Sequence, residues 1–193
     1  MVNTRFVHTA QLVRVVAVAA LAGCAWAAAG CGAAPAPEET PTVPEFEKRI
    51  AAYLEVQKKA TAELPALKRT DDPKEITSRE VAMGEAIRAA RATAKPGDII
   101  TPEVAGYFRT LIKKDFESRT AAEKKVMKDE IPPLQPALNQ SYPSDQPLAT
   151  FPATLLSVMP TLPEGLEYRF LIDALIIRDI KANIIIDYIL NVF

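Results

Sequence analysis

Between Thr42 and Glu130 apolar residues recur at helical spacing in four stretches, each bracketed by start and stop residues. Phe46, Ile50, Tyr53, Leu54 and Leu64 form the first stripe, opened by a Thr42…Glu45 capping-box pattern and closed by Pro65. Ile76, Met83, Ile87, Ala90 and Ala94 form the second, entered through Asp72-Pro73 as N-cap and first helical residue and left at Pro96-Gly97. Val104, Tyr107, Phe108, Leu111, Ile112 and Phe116 follow Thr101-Pro102-Glu103 as the third. Thr120 with Glu123 caps a shorter fourth helix that stops before Pro132. Packing the helices together explains each stripe, so their aromatics need no ligand.

The pattern then changes twice. Residues Pro132 to Pro163 hold eight of the sixteen prolines, which excludes a long helix or a central strand and leaves one or two turns over Ala153–Met159. Leu134, Leu138, Tyr142, Leu148 and Phe151 are spaced to touch a core, so this stretch reads as a surface wrap. From Leu166 the period becomes two: Leu166, Tyr168, Phe170 and Ile172 on one face, Glu167 and Arg169 on the other. Leu175–Arg178 and Ile184–Ile189 are rich in β-branched residues, with Asp173-Ala174 and Asp179–Asn183 as the turns between them. The expected fold is α+β: a helical N-terminal half of about four helices, a Pro-rich wrap and a small C-terminal antiparallel β-meander. The Ile run of the last strand requires that strand to be central or covered, because a bare edge of that kind aggregates.

The first thirty-one residues read as an address. Met1–Arg14 carry Arg5 and Arg14 and no acid, and the sixteen residues Val15–Gly30 carry no charge, the layout of a secretory signal peptide. Leu21-Ala22-Gly23-Cys24 resembles the lipobox of bacterial lipoproteins, in which the cysteine is lipidated and becomes N-terminal. Ala29-Gly30-Cys31 is a second candidate, and cleavage after Ala25-Trp26-Ala27 would release an unlipidated protein. Residues 1–31 are thus expected to be a signal peptide of lipoprotein type. Residues 32–42 form a Pro/Ala-rich linker, extended over about 30 Å, and residues 43–193 a single domain. Lipidation would place the chain at the outer or cytoplasmic membrane facing the periplasm; otherwise it is periplasmic or secreted. Ala25 supplies no acid after Cys24, and in the lipoproteins this segment resembles such an acid favours the inner membrane.

Charge and chemistry narrow the reading further. The formal net charge is −1, and loss of Arg5 and Arg14 with the leader takes it to about −3, which gives no electrostatic footprint for nucleic acid. Apolar residues make up 49% and charged residues 24%, enough for a real core. Both cysteines, Cys24 and Cys31, the one histidine, His8, and the one tryptophan, Trp26, precede residue 32. The folded region therefore has no internal disulfide, no Ser-His-Asp or Cys-His pair, no thiolate redox site and no ordinary zinc site. No cofactor, metal or catalytic residue is expected.

Leu162–Phe170, Leu175–Asp179 and Ala182–Ile189 resemble the ending of an uncharacterised group of exported bacterial proteins, and Ala89–Arg91 with Lys95–Val104 is similar to their middle. The resemblance implies export; it implies no activity, cofactor or site residue.

The remaining polar residues have bland readings. Arg88, Arg91 and Lys95 line one side of the second helix and read as a solvated helix end. Lys95-Pro96-Gly97-Asp98 is a turn, without the spacing of a phosphate loop, and Asp71-Asp72 and Asp129-Glu130 lack the ligand pattern of a calcium loop. Asn139-Gln140-Ser141 matches a glycosylation sequon that has no meaning beside a bacterial export signal. On the meander, Glu167, Arg169, Arg178 and Asp187 are expected to share the polar face as surface candidates, with cross-strand ion pairs favoured over an acid–base pair. The functional expectation is a non-enzymatic binding or structural protein of the cell envelope, its partners being the membrane through the lipid and an envelope protein or polymer. The alternative is a cofactor-independent hydrolase using Asp/Glu pairs in the periplasm.

Overall fold

The computed structural model describes residues 42–65 and 70–193. The signal-peptide and linker expectations, with Cys24 and Cys31, lie outside the described residues. Helices α1 (Thr42–Ala60), α2 (Pro73–Ala90), α3 (Pro102–Ser118) and α4 (Ala121–Glu130) precede a single turn, α5 (Ala153–Leu156). Strands β1 (Leu166–Leu171), β2 (Ala174–Asp179) and β3 (Ile184–Leu190) follow as an antiparallel sheet in that spatial order, so the fold is α+β. Among the described residues no helix is long and apolar enough to cross a membrane.

The helix starts follow from local hydrogen-bonding chemistry. Asp72 Oδ1 accepts the Lys74 N–H at 2.9 Å, and Thr120 and Glu123 form a complete reciprocal capping box. Two ends fall short of the periodic stripes. α1 stops at Ala60, where the backbone N–H and hydroxyl of Thr61 both donate to the Gln57 carbonyl. α2 stops at Ala90 because Arg91, its C-cap, turns into the protein instead of continuing along the helix surface.

The main core lies between the helices and one face of the sheet. Phe108 of α3 is fully buried at its centre, edge-on to Phe46 at 5.2 Å and to Tyr168 at 5.9 Å. Phe151 of the wrap stacks on Phe170 at 4.8 Å. Of the wrap residues expected to touch core, Tyr142 and Phe151 are buried and Leu134 and Leu138 partly so. Leu148 instead points outward and its neighbour Ala149 is buried in its place.

The last strand is covered, not central. Asn139 donates its N–H to the Ile185 carbonyl at 2.7 Å, Ile185 donates to Gln140, and Tyr142 donates to Asn183. The sequon residues thus act as a short strand-like cover for β3. Further along the same edge, side chains take over: Arg91 donates to the Ile186 carbonyl at 2.8 Å, and Arg109 donates to Leu190.

The β1–β2 turn is Ile172-Asp173, one residue earlier than the expected Asp173-Ala174, since Ala174 pairs with Leu171. Ile172 sits there at φ 36°, 42% exposed, in the left-handed region that a β-branched residue disfavours by about 1–2 kcal/mol. Ile172→Gly is therefore expected to raise stability by about 1 kcal/mol, read as a higher urea midpoint at unchanged slope.

Candidate functional site

The polar residues of the sheet divide between its two faces. On the face away from the main helical core, Glu167 and Arg178 stand directly opposite each other across β1 and β2. Glu167 Oε1 accepts from Arg178 Nη1 at 2.7 Å and its Oε2 from Arg169 Nη2 at 2.5 Å, so one carboxylate lies between two guanidinium groups. The second positive charge is met by carbonyl oxygens: Arg169 Nη1 donates to Ala149 and Arg178 donates through Nε and Nη2 to Asn183 Oδ1. Asn183 in turn donates to Glu80 Oε1 and to the Tyr142 carbonyl, and Arg178 lies over the Tyr142 ring at 5.4 Å.

Burial opposes ionisation of Glu167, but the bonds from Arg169 and Arg178 outweigh it and hold the carboxyl below the usual glutamate range. A group held this way contributes stability that is complete above the unfolded glutamate pKa, about 4.3, and is lost as pH falls through the lower folded value. Glu167→Gln is expected to make the melting temperature less sensitive to acid below about pH 4.3. Thermal melts of both proteins across that range check it.

Asp187 does not join this cluster. The β2–β3 register breaks between Ile177, which faces Asp187, and Arg178, which faces Ile185, so Ile186 is an extra residue. By simple alternation Asp187 would share the face of Ile185 and Arg178. The bulge turns it to the helix side, fully buried. There Oδ1 accepts the N–H groups of Gly97 and Tyr188, and Oδ2 those of Ile99 and Ile100, all at 2.8–2.9 Å. The α2–α3 turn thus presents a row of amides to one carboxylate. Burial pushes the Asp187 carboxyl up while these four bonds pull the other way.

The solvated helix end expected for Arg88, Arg91 and Lys95 is corrected at Arg91. Arg91 is 9% exposed, donates to Asn139 Oδ1 as well as to Ile186, and lies over the Tyr53 ring at 5.1 Å. Arg88 donates to the Asn139 carbonyl and to Ser141. Both tie α2 to the cover of β3, while Arg88 and Lys95 stay exposed. Beside them, buried Asp179 accepts from Tyr53 at 2.6 Å and from Gln57 through Oδ2, and from Lys181 and Ala182 N–H through Oδ1. Burial and the adjacent Asp179 push the Tyr53 phenol far above its ordinary range, so it stays a neutral donor. The sequence reading missed the Tyr53–Asp179 pair altogether. Its one visible sign was an acid ending an Ile-rich strand.

The outer edge of β1 is bonded differently. The Ile180 N–H donates to the Gly165 carbonyl, which makes residues 165, 167, 169 and 171 the ones bonded to β2. The N–H and C=O groups of Tyr168 and Phe170 therefore point off the outer edge of β1. The wrap closes the two ends of that edge, with the Pro163 carbonyl taking the Leu166 N–H and the Pro132 carbonyl the Ile172 N–H. Among the described residues nothing bonds the groups between, and Tyr168 and Phe170 are buried, 4% and 2% exposed. A groove of about 420 Å³ runs beside them, lined by Thr150, Phe151, Leu156, Leu162, Glu167 and Arg169 among others. Leu156 is 53% exposed there.

Among the described residues no group of three His, Cys, Asp or Glu side chains is placed to hold a metal ion. No family model matches the chain, and neither does any curated protein or solved structure.

Proposed function

We propose that this chain is an exported, non-enzymatic binding protein of the bacterial cell envelope, held at a membrane by a lipid on Cys24, with Cys31 as the alternative position. The observation that carries the non-enzymatic part is that each acid within the strands, Glu167, Asp179 and Asp187, is already bonded inside the fold. A general acid or base needs a carboxyl free to exchange a proton with substrate and poised near the working pH. Glu167, held between two guanidinium groups, is neither.

The hydrolase alternative needs two carboxyls flanking one glycosidic bond. Glu167 and Asp187 lie on opposite faces of the sheet, which favours the binding reading over it. The groove of about 420 Å³ beside β1 is the surface through which binding is read.

Incubation of the purified chain with peptidoglycan sacculi tests the reading. The expected result is no release of soluble fragments. Release by the native chain that disappears in a folded Glu167→Gln variant overturns it.

A further inference from the structure

The end of the sheet that carries the β1–β2 turn is apolar and exposed. Ile172 at the turn and Leu190, which pairs with Ala174 beside it, are each 42% exposed. Ile172 is held there at φ 36°, a conformation that glycine adopts without strain. A glycine would spare the fold this strain, and exposed apolar residues grouped at one place mark contact surfaces. A shallow groove of about 470 Å³ joins Ile172 to Pro133, Phe193 and Lys128 of α4.

Charge says what covers this end. Lys124 and Lys128 stand one turn apart on α4, and both bring Nζ over the ring of Phe116, at 5.3 and 5.1 Å. Phe116 in turn packs on Phe193 at 5.4 Å, which sets the two ammonium groups at the rim of the groove. Among the described residues neither lysine is paired with a carboxylate, although Lys113 and Lys125 of the same two helices each are. Lys124 reaches only the Glu117 carbonyl, at 3.4 Å. The acid of the groove, Asp173, accepts the Phe193 N–H through Oδ1. Apolar side chains beside ammonium groups without acids match acyl chains beneath anionic phosphates.

We propose that this end of the sheet docks on a bilayer containing anionic phospholipid, with Ile172 and Leu190 entering the acyl boundary and Lys124 and Lys128 meeting headgroup phosphates. The proposal rests on the reading of a membrane-tethered chain and adds the face that the domain turns to the membrane. A tether raises the effective concentration of this face at the surface, so two aliphatic side chains and two charges are enough to hold it there.

The test places the mature full chain on vesicles of phosphatidylcholine alone and on vesicles with phosphatidylglycerol added, and follows lysine acetylation by peptide mass spectrometry. On the anionic vesicles, acetylation of Lys124 and Lys128 is expected to slow by about fivefold or more, and to recover in high salt. Lys181, exposed at the opposite end of the sheet, is the internal control and is expected to react equally on both. Ile172→Gly removes the apolar contact while relieving the turn, so loss of folding does not confuse the result. It is expected to weaken docking by about tenfold, with most of the slowing lost. Ile180→Ala, which alters a comparably exposed residue at the opposite hairpin, is expected to keep the slowing.

Equal acetylation of Lys124 and Lys128 on the two kinds of vesicle overturns the proposal, as does slowing that survives Ile172→Gly. Slowing produced by inorganic phosphate without vesicles also overturns it, in favour of a site for a soluble anion. These failures are separate from failure of the tether, which the intact mass of the chain decides. An acylated chain whose Lys124 and Lys128 stay reactive keeps the tether and loses the docking face.

Discussion

Asp187→Ala is expected to be the most damaging single substitution in the domain, costing about 3–5 kcal/mol. The carboxylate takes four backbone N–H groups at once, and those of Ile99 and Ile100 are buried in the native structure. Each buried amide left without an acceptor costs about 1–3 kcal/mol, and the void left by the side chain lets no partner replace it. Since a domain of this size is stable by about 5–15 kcal/mol, the variant is expected to unfold at a much lower urea concentration. Asp187→Asn is a sharper control. It keeps the shape and one acceptor oxygen but turns an NH₂ group toward amide donors, so it is also expected to destabilise, though less than alanine. Urea unfolding followed by far-UV circular dichroism checks both. An alanine variant within about 0.5 kcal/mol of the native protein would contradict the bonding described here.

Arg91→Ala is expected to follow, at about 2–4 kcal/mol. Its guanidinium joins three parts of the fold: the Ile186 carbonyl of β3, the Asn139 side chain of the wrap and the ring of Tyr53 on α1. Burial lowers the Arg91 pKa, with the neighbouring Tyr53 and Asp187 acting in the opposite sense. Removing it leaves a carbonyl and an amide oxygen without donors in a site water does not reach, and uncovers an edge of the sheet. Arg91→Lys is expected to recover only part of the loss, because one ammonium cannot span the fork that reaches both oxygens. Local amide exchange at Ile185 should rise in both variants before global unfolding, since the cover strand then loses one of its two side-chain ties to α2.

These two residues also mark where sequence reasoning reached its limit. The helices, the Pro-rich wrap and the meander were legible because periodicity, capping chemistry and proline sterics are local, and Thr101, Thr120 and Asp72 each do in the structure what their sequence position requires. Tyr168 fell in the core as its alternation demanded. Glu167 and Arg178 met across two strands because the period of two carries over a tight hairpin. Asp187 did not follow that alternation. A bulge is a single extra residue with no sequence signature in Ile-Ile-Ile-Asp, and it inverts the face of everything that follows it. Arg91 was misplaced for a related reason: helical spacing shows which side of α2 it occupies, but not that a carbonyl of β3, 95 residues away, lies in reach of that side.

Which backbone groups of β1 go unbonded was illegible for a similar cause. Which edge of a meander is covered depends on where a proline-rich segment travels, and proline chemistry says only that it forms no ladder of its own. Here residues 139–142 run along β3, while Pro132 and Pro163 each spend one carbonyl on β1. The result is a β3 edge covered over residues 183–186 and a β1 edge bonded only at its ends.

The most direct test of the account as a whole is the intact mass of the mature chain recovered from the membrane fraction of its host. The account predicts a mass fitting an acylated chain that begins at Cys24 or, failing that, at Cys31. An unacylated chain beginning near Ala28 would contradict it, leaving a freely diffusing protein with no membrane tether.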